Sequence, residues 1–118
     1  TILLIQRNHM RVLNFVLVAL TAAIVTLPAQ AKNLTKNEIE VCKWGAGVAA
    51  SAQQSKLSGV TLNSAKNNLK KRTYSKPWMP KMALGITEQT YKSKSRLEPA
   101  AVKNTYYQGC VKHELAKK

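Results

Sequence analysis

Apolar positions divide this chain into one continuous run near its start and a longer remainder with helical spacing. Residues 12–27 are almost entirely apolar, follow the cation of Arg11, and lead to the small-residue triplet Ala-Gln-Ala at 29–31. A short cationic start, an apolar run and an A-x-A site are typical of a secretory signal peptide. We therefore predict export of the chain, with cleavage after Ala31.

The alternative for this run is a membrane anchor that stays attached. The run is shorter than the roughly 20 residues that a helix needs to span a bilayer. Asn14 interrupts it, and Pro28 ends it just before the small-residue triplet. Both features favour a signal peptide. The predicted organisation is upstream sequence plus signal peptide over residues 1–31, and a single helical domain over residues 32–118.

The remainder predicts four helices and no convincing strand. Thr35 followed by Glu38 is a capping box, which is typical of a helix start. The first helix should end at Ser58-Gly59, because glycine readily takes the left-handed conformation of a helix C-terminus. The inner positions of a second helix, capped by Thr61, are predicted to be Leu62, Ala65, Leu69 and Thr73.

Prolines mark the boundaries of the later helices. Pro77 disfavours helical conformation at the residue before it, so the second helix should end by then. Pro80 suits the first position of a third helix that fades between residues 91 and 95, and Pro99 suits the start of a fourth. Four helices with short joints favour an up-and-down bundle.

The two cysteines predict a staple for this bundle. Cys42 lies in the first turns of the first helix and Cys110 lies late in the fourth. An up-and-down order brings these helix ends together, and two cysteines in an exported chain indicate a disulfide. Their spacing fits neither a zinc site nor a C-x-x-C redox pair. We therefore predict an all-α bundle of about four helices held by one disulfide.

The predicted mature chain is strongly basic. It keeps 17 of the 19 Lys and Arg residues and all five glutamates, and the sequence has no aspartate, so its net charge is +12. Such a charge attracts polyanions but does not define a fold. His113 is the single histidine after residue 31, and on a helix its neighbour Glu114 should face a different direction. With no metal-ligand cluster, phosphate-binding glycine loop or cofactor motif in the sequence, we expect a protein that is not an enzyme.

One constellation combines cations with aromatic rings. We call it the basic-aromatic face, and its members are Lys66, Lys70, Lys71, Arg72, Lys76, Lys81, Tyr74 and Trp78. Cations bind phosphates or anionic lipid headgroups, and rings stack on bases or sit at a membrane interface. The alternative is that the rings cover the end of the bundle while the cations are simply solvated. A second basic cluster, Lys92, Lys94 and Arg96, lies beside Tyr91.

The chain resembles an uncharacterised group of short exported two-cysteine helical proteins from Gram-negative bacteria and their phages. In that group a cysteine like Cys42 lies early in the first helix, and a turn like LSGV at 57–60 follows. A later helix ends in an aromatic residue like Tyr91, and the last one closes like YYQGC at 106–110. The resemblance implies a helical, disulfide-linked periplasmic or secreted domain, and it implies no activity. This chain departs from the group in its excess of lysine.

Two functional hypotheses follow from these features. The first is a non-enzymatic exported binding protein for an anionic partner: an acidic protein, lipopolysaccharide, nucleic acid or a membrane surface. An inhibitor or immunity-type protein falls within this class. The second is a periplasmic stress chaperone of the small disulfide-linked helical type. Such chaperones respond to acid by protonating many carboxylates, whereas five glutamates leave the charge of this chain nearly constant. The sequence indicates no small-molecule substrate and no cofactor.

Overall fold

The computed structural model describes residues 33–118, and all the regular structure in that range is helical. Four α-helices follow one another: α1 spans Lys36–Leu57, α2 spans Leu62–Lys70, α3 spans Met79–Lys92 and α4 spans Pro99–Ala116. The predicted all-α fold with four helices is therefore confirmed for the described residues. The predicted signal peptide and its cleavage site lie outside them.

The predicted caps of α1 are both present. Thr35 Oγ1 accepts a hydrogen bond from the Glu38 N–H (3.1 Å), and the Glu38 carboxylate accepts one from the Thr35 N–H (2.8 Å). This reciprocal pair satisfies backbone donors that a helix start leaves free. At the other end Gly59 has φ +85°, and the Val60 N–H donates to the Ser55 carbonyl (3.0 Å). The left-handed glycine thus turns the chain from α1 towards α2.

Helix α2 is shorter than its apolar stripe predicts. It follows the cap Thr61 but ends at Lys70. The placement of Thr73 on its inner face is therefore wrong, because Thr73 lies beyond the helix and is exposed. The Tyr74 hydroxyl donates to the Leu69 carbonyl (2.8 Å) and so occupies one of the last acceptors of α2. An aromatic side chain, rather than another helical turn, closes this end.

The third and fourth helices each begin within one residue of the proline that predicted their start. Helix α4 begins at Pro99 as predicted, whereas α3 begins at Met79, so that Pro80 is its second residue. The N–H groups in the first turn of a helix have no intrahelical acceptor, so proline, which lacks an N–H, is tolerated there. Helix α3 ends at Lys92, inside the predicted interval.

Helix α1 is the central helix of the described domain. It packs against α4 on one side and α3 on another, while α2 lies mainly against α3. Gly45, near the middle of α1, faces Met82 in the first turn of α3, and Lys56 bonds to the Thr90 carbonyl near the ends of both helices. These two helices therefore run in the same direction. The spatial order is α4–α1–α3–α2, in which α3 and α4 are separated although they are consecutive in the chain.

The core is thin because many of its side chains are alanines. Half of the ten buried apolar residues are alanines, and the largest continuous cluster contains only Val48, Ala49, Leu69, Ala83 and Ile86. Small side chains let helices approach closely without leaving voids. Gly45 of α1 follows this rule, since side chains of both α3 and α4 lie against it. No residue of α4 is fully buried.

Cys42 and Cys110 form the predicted disulfide. Their Cα atoms are 5.6 Å apart across a sequence separation of 68 residues. An ion pair between Lys118 and Glu38 (3.0 Å) joins the same ends of α4 and α1. A disulfide indicates an oxidising compartment rather than the cytoplasm. Over residues 33–118, no helix has the length and apolar character that crossing a membrane requires.

Candidate anion-binding surface and the adjoining groove

The aromatic members of the basic-aromatic face belong to a three-ring cluster. Trp44 of α1 packs edge-to-face against Tyr74 (centroids 6.4 Å apart) and against Trp78 (5.4 Å). Edge-to-face contacts are the preferred geometry of aromatic pairs. Trp44 and Tyr74 also pack against the core cluster, whereas Trp78 remains 37% exposed. Tyr74 is thus a packing residue, and Trp78 is the ring of this face that solvent reaches.

Most cations of the basic-aromatic face are open to solvent. The exposed ones are Lys70, Lys71, Arg72, Lys76 and Lys81, and none of them forms an ion pair with a described residue. Lys66 differs because its ammonium lies 3.2 Å from the Glu88 carboxylate and joins α2 to α3. Five exposed cations from the same stretch of chain as Trp78 therefore remain available to an anionic partner.

Sequence reasoning missed Trp44 as the centre of the aromatic cluster. Helical periodicity left its position undecided, because it lies next to a stripe of small residues. Only the turn between α2 and α3 brings Tyr74 and Trp78 to it. The available signal was Trp44 beside Gly45, together with two further rings, Tyr74 and Trp78, in the proline-containing connector.

A groove of about 750 Å³ lies between α3 and α4, with α1 as its floor. The backbones of α3 and α4 stay more than 8 Å apart, Cα to Cα, so their facing sides do not close over α1. Ala49 and Gln53 form the floor, and the walls are mainly apolar; they include Met82, Ile86, Val102, Tyr106 and Leu97. The floor positions from Val41 to Gln53 give the groove a length of about 18 Å, at 1.5 Å per helical residue.

Residues 93–97, which we call the strap, connect α3 to α4 and close one end of the groove. The buried Gln53 amide donates to the carbonyls of Ser95 (3.1 Å) and Leu97 (2.8 Å). The half-buried Lys56 ammonium donates to the carbonyls of Thr90 (3.1 Å), Ser93 (2.9 Å) and Ser95 (2.8 Å). Two side chains of α1 thus hold the strap through five hydrogen bonds to its carbonyls and to the end of α3.

Three groups of the domain have displaced pKa values. Hydrogen bonds from the Thr35 backbone and then from Lys118 lower the pKa of Glu38 from 4.5 to about 2. Burial raises the pKa of the Tyr106 hydroxyl above its usual value of 10.0. Burial also raises the pKa of Tyr91, whose hydroxyl donates to the Val60 carbonyl (2.8 Å). Both tyrosines are therefore neutral at physiological pH and act as packing and hydrogen-bonding groups.

His113 and Glu114 both line the open end of the groove, near Val41 and Cys110. Lining the same groove does not bring their side chains together, so the expectation that they face different directions stays a prediction. Glu114 bonds to Lys117 (3.4 Å) rather than to the imidazole. Among residues 33–118, no group of three or more His, Cys, Asp or Glu side chains is placed to hold a metal ion.

Comparisons of this chain with protein-family models, curated proteins and solved structures return no match. The resemblance to small exported two-cysteine proteins therefore stays a prediction.

Proposed function

We propose that this chain is an exported binding protein that docks on an anionic macromolecule through its basic-aromatic face and performs no catalysis itself. The observation that carries the proposal is a group of five exposed cations without a described ion-pair partner, all within eight residues of the exposed Trp78 in the sequence. Oppositely charged patches attract a partner over long range and orient it, while a ring at the centre provides buried contact area.

Packing of the aromatic cluster supports a defined surface rather than diffuse attraction. Trp78 is held edge-on by Trp44, which is itself packed on the core, so its exposed edge has a fixed position relative to the bundle. A rigid anchor loses little conformational freedom on binding, and this favours affinity. The disulfide adds to this rigidity, because it ties α1 to α4 at Cys42, two residues before Trp44.

Export is part of the proposal. Its supports are the signal-peptide pattern before residue 32 and the disulfide of the domain. Intact mass of protein recovered from outside the cytoplasm is the direct measurement. We expect a chain that begins at Lys32, and a species that retains Met10 would contradict the cleavage prediction.

The binding test compares two triple variants of the mature protein. One replaces Lys70, Lys71 and Arg72 with alanine, and the other replaces Lys36, Lys103 and Lys112, which are also exposed. The probes are a fluorescent single-stranded oligonucleotide and vesicles that contain anionic lipid, each titrated at several salt concentrations. Affinity for a polyelectrolyte falls linearly with salt on logarithmic axes, with a slope set by the number of neutralised phosphates.

We expect the first triple variant to bind more weakly and with a shallower salt slope, whereas the control variant changes little. Each variant removes three charges, so equal losses would show that net charge alone attracts the partner and that no defined face exists. Trp78→Phe separates the contribution of the ring from that of the cations, because phenylalanine keeps most of the packing against Trp44. Thermal melting of every variant checks that the fold is intact.

A further inference from the structure

A second cavity, which we call the polar cavity, lies where α1, α2 and α3 meet. Its volume is about 110 Å³, which is the space of roughly four water molecules at about 30 Å³ each. The polar side chains that line it are Ser51, Ser55, Asn68, Arg72 and Thr87. We propose that the polar cavity binds a small tetrahedral oxyanion, either free phosphate or the terminal phosphate of a larger molecule. This site goes beyond the proposed function, because free phosphate needs neither Trp78 nor the lysines of the basic-aromatic face.

The polar cavity has an open mouth and an enclosed interior. Ser51 of α1, Asn68 of α2 and Arg72 just after α2 are exposed and mark the mouth. The apolar side chains of the interior are buried, and they are Val48, Ala52, Ala65 and Leu69. A tetrahedral oxyanion suits a cavity of this size, whereas a whole nucleotide does not fit. An ion that enters from solvent is partly surrounded by apolar walls, where charge-assisted hydrogen bonds are stronger than in water.

Thr87 indicates that the cavity has a polar occupant. Only 3% of this residue is exposed, and it lines the cavity. The Thr90 hydroxyl donates to the Ile86 carbonyl (2.8 Å), whereas the Thr87 hydroxyl forms no hydrogen bond with a described residue. Among residues 33–118, no fully enclosed side-chain nitrogen or oxygen lacks a partner, so the Thr87 hydroxyl reaches the open space of the cavity. A buried hydroxyl without a partner is costly, and an oxyanion would accept its hydrogen bond.

The charge of the cavity selects an anion rather than water alone. Arg72 is the single charged residue that lines it, and its guanidinium forms no ion pair with a described residue. The acid next to Thr87 in the chain is Glu88, and its carboxylate is held by the Lys66 ammonium (3.2 Å). A guanidinium presents a planar fork of N–H donors that matches two oxygens of a phosphate.

Neutral donors complete the site. The Ser51 hydroxyl comes from α1 and the Asn68 amide from α2, and neither forms a hydrogen bond with another described residue. Both groups therefore remain able to donate to an ion at the mouth. With Thr87 of α3, donors from three helices line one small cavity beside a guanidinium. Such a set of donors is suited to an oxyanion, whose charge strengthens each hydrogen bond.

The test uses the mature, disulfide-bonded protein and inorganic phosphate, titrated by calorimetry at an ionic strength that chloride holds constant. We expect saturable binding of one phosphate per chain. In an amide NMR spectrum, binding should shift the resonances of Thr87 and of residues around Ser51 and Asn68. Binding without saturation, or shifts confined to lysines outside the cavity, would show diffuse attraction to a basic surface and would overturn the proposal.

Two adjacent asparagines of α2 provide a matched pair of variants. Asn68 lines the mouth, whereas Asn67 is exposed and does not line the cavity. Asn68→Leu removes an amide donor and places an apolar side chain at the mouth. Its affinity for phosphate should fall by about tenfold or more, which is the loss typical of a missing hydrogen bond to a charged group, and Asn67→Leu should leave the affinity unchanged. Leucine is a better helix former than asparagine, so both proteins should remain folded. Equal affinities in the two variants would contradict the proposed site.

Two further pairs test the hydroxyl and the guanidinium. Thr87→Val keeps the shape of the side chain and should weaken phosphate binding several-fold, whereas Thr105→Val, at an exposed position of α4, should not. Arg72→Lys keeps the charge but loses the planar fork of donors, so it should also weaken phosphate binding several-fold. Arg96→Lys, outside the cavity, is its control. Full affinity for phosphate in either cavity variant would overturn the assignment of that residue.

Competition separates the two sources of phosphate. The competitors are single-stranded oligonucleotides with and without a terminal phosphate. Competition by the phosphorylated one alone would assign the cavity to a terminal phosphate, and competition by neither would assign it to the free ion, so each result supports an oxyanion site. Equal competition by both would place phosphate on the basic-aromatic face and overturn the proposal. Asn68 and Thr87 lie outside that face, so failure of their variants to weaken phosphate binding leaves the proposed function untouched.

Discussion

Gly45 offers a direct test of how α1, α3 and α4 pack. A Cβ added there would lie 2.8 Å from Tyr106 Cε1, 2.9 Å from Met82 Cε and 3.0 Å from the Tyr106 hydroxyl oxygen. Gly47, two residues later in the same helix, has nothing within 4 Å of an added Cβ. Alanine at these two positions therefore changes the same helix in the same way but meets different surroundings.

The expected changes in the free energy of unfolding differ in sign between the two alanine variants. Replacing glycine by alanine inside a helix stabilises by about 0.8–1 kcal/mol, so Gly47→Ala should raise the melting temperature by about 3–8 °C for a domain of this size. At Gly45 the same gain is opposed by overpacking, which typically costs about 1–3 kcal/mol. The methyl end of Met82 can rotate away cheaply, whereas the Tyr106 ring has to shift as a whole. Gly45→Ala should therefore lower the melting temperature, by about 4–8 °C for a net loss of about 1 kcal/mol.

Urea denaturation and thermal melting of the disulfide-bonded proteins provide the measurement. The control is a double-mutant cycle with Tyr106→Ala, in which the penalty of Gly45→Ala should largely disappear because the clashing ring is gone. If Gly45→Ala and Gly47→Ala stabilise equally, or if the penalty survives in the Tyr106→Ala background, then Tyr106 does not pack on Gly45 and the described contact between α1 and α4 is wrong.

Three further predictions concern the staple, the cap and the strap. Reduction of the Cys42–Cys110 bond, whose ends are 68 residues apart, should lower the free energy of unfolding by about 4 kcal/mol on the chain-entropy model. Unfolding in urea with and without reductant measures this loss. Free thiols in native exported protein, detected by alkylation and mass, would contradict the disulfide itself. Because the folded pKa of Glu38 is about 2 rather than 4.5, its stabilising effect is present above pH 4.5 and is lost as pH falls towards 2. Glu38→Gln should therefore flatten the dependence of melting temperature on pH in that window, and an unchanged profile would show that the carboxylate bonds are absent in solution. Gln53→Leu should destabilise by about 1–3 kcal/mol, because it removes the buried donor to two strap carbonyls, whereas Gln54→Leu, an exposed neighbour, should change the urea midpoint little.

The sequence determined the helices because their signals are local. The capping box at Thr35, the turn at Gly59 and the start at Pro99 depend on residues within one helical turn of each boundary, and all three are present. The Cys42–Cys110 pairing was also accessible, since two cysteines on helices of known order leave only one bond to make. The extent of α2 was less accessible, because Thr73 continues the apolar spacing of that helix while Tyr74 ends it through a hydrogen bond to Leu69.

The shape of the candidate sites depends on how the helices pack against one another. Periodicity predicts which face of a helix is buried, but it does not specify which helix covers it, and it could not show that α3 and α4 flank α1 without meeting. The groove and the strap held by Gln53 and Lys56 follow from that arrangement, through contacts between residues 34 to 44 positions apart. The basic-aromatic face was visible as a charge pattern, yet its division into packed Tyr74 and exposed Trp78 depends on Trp44, which reaches both rings only when the chain folds. Long-range contacts of this kind are set by packing between elements, which no local pattern in a single sequence encodes.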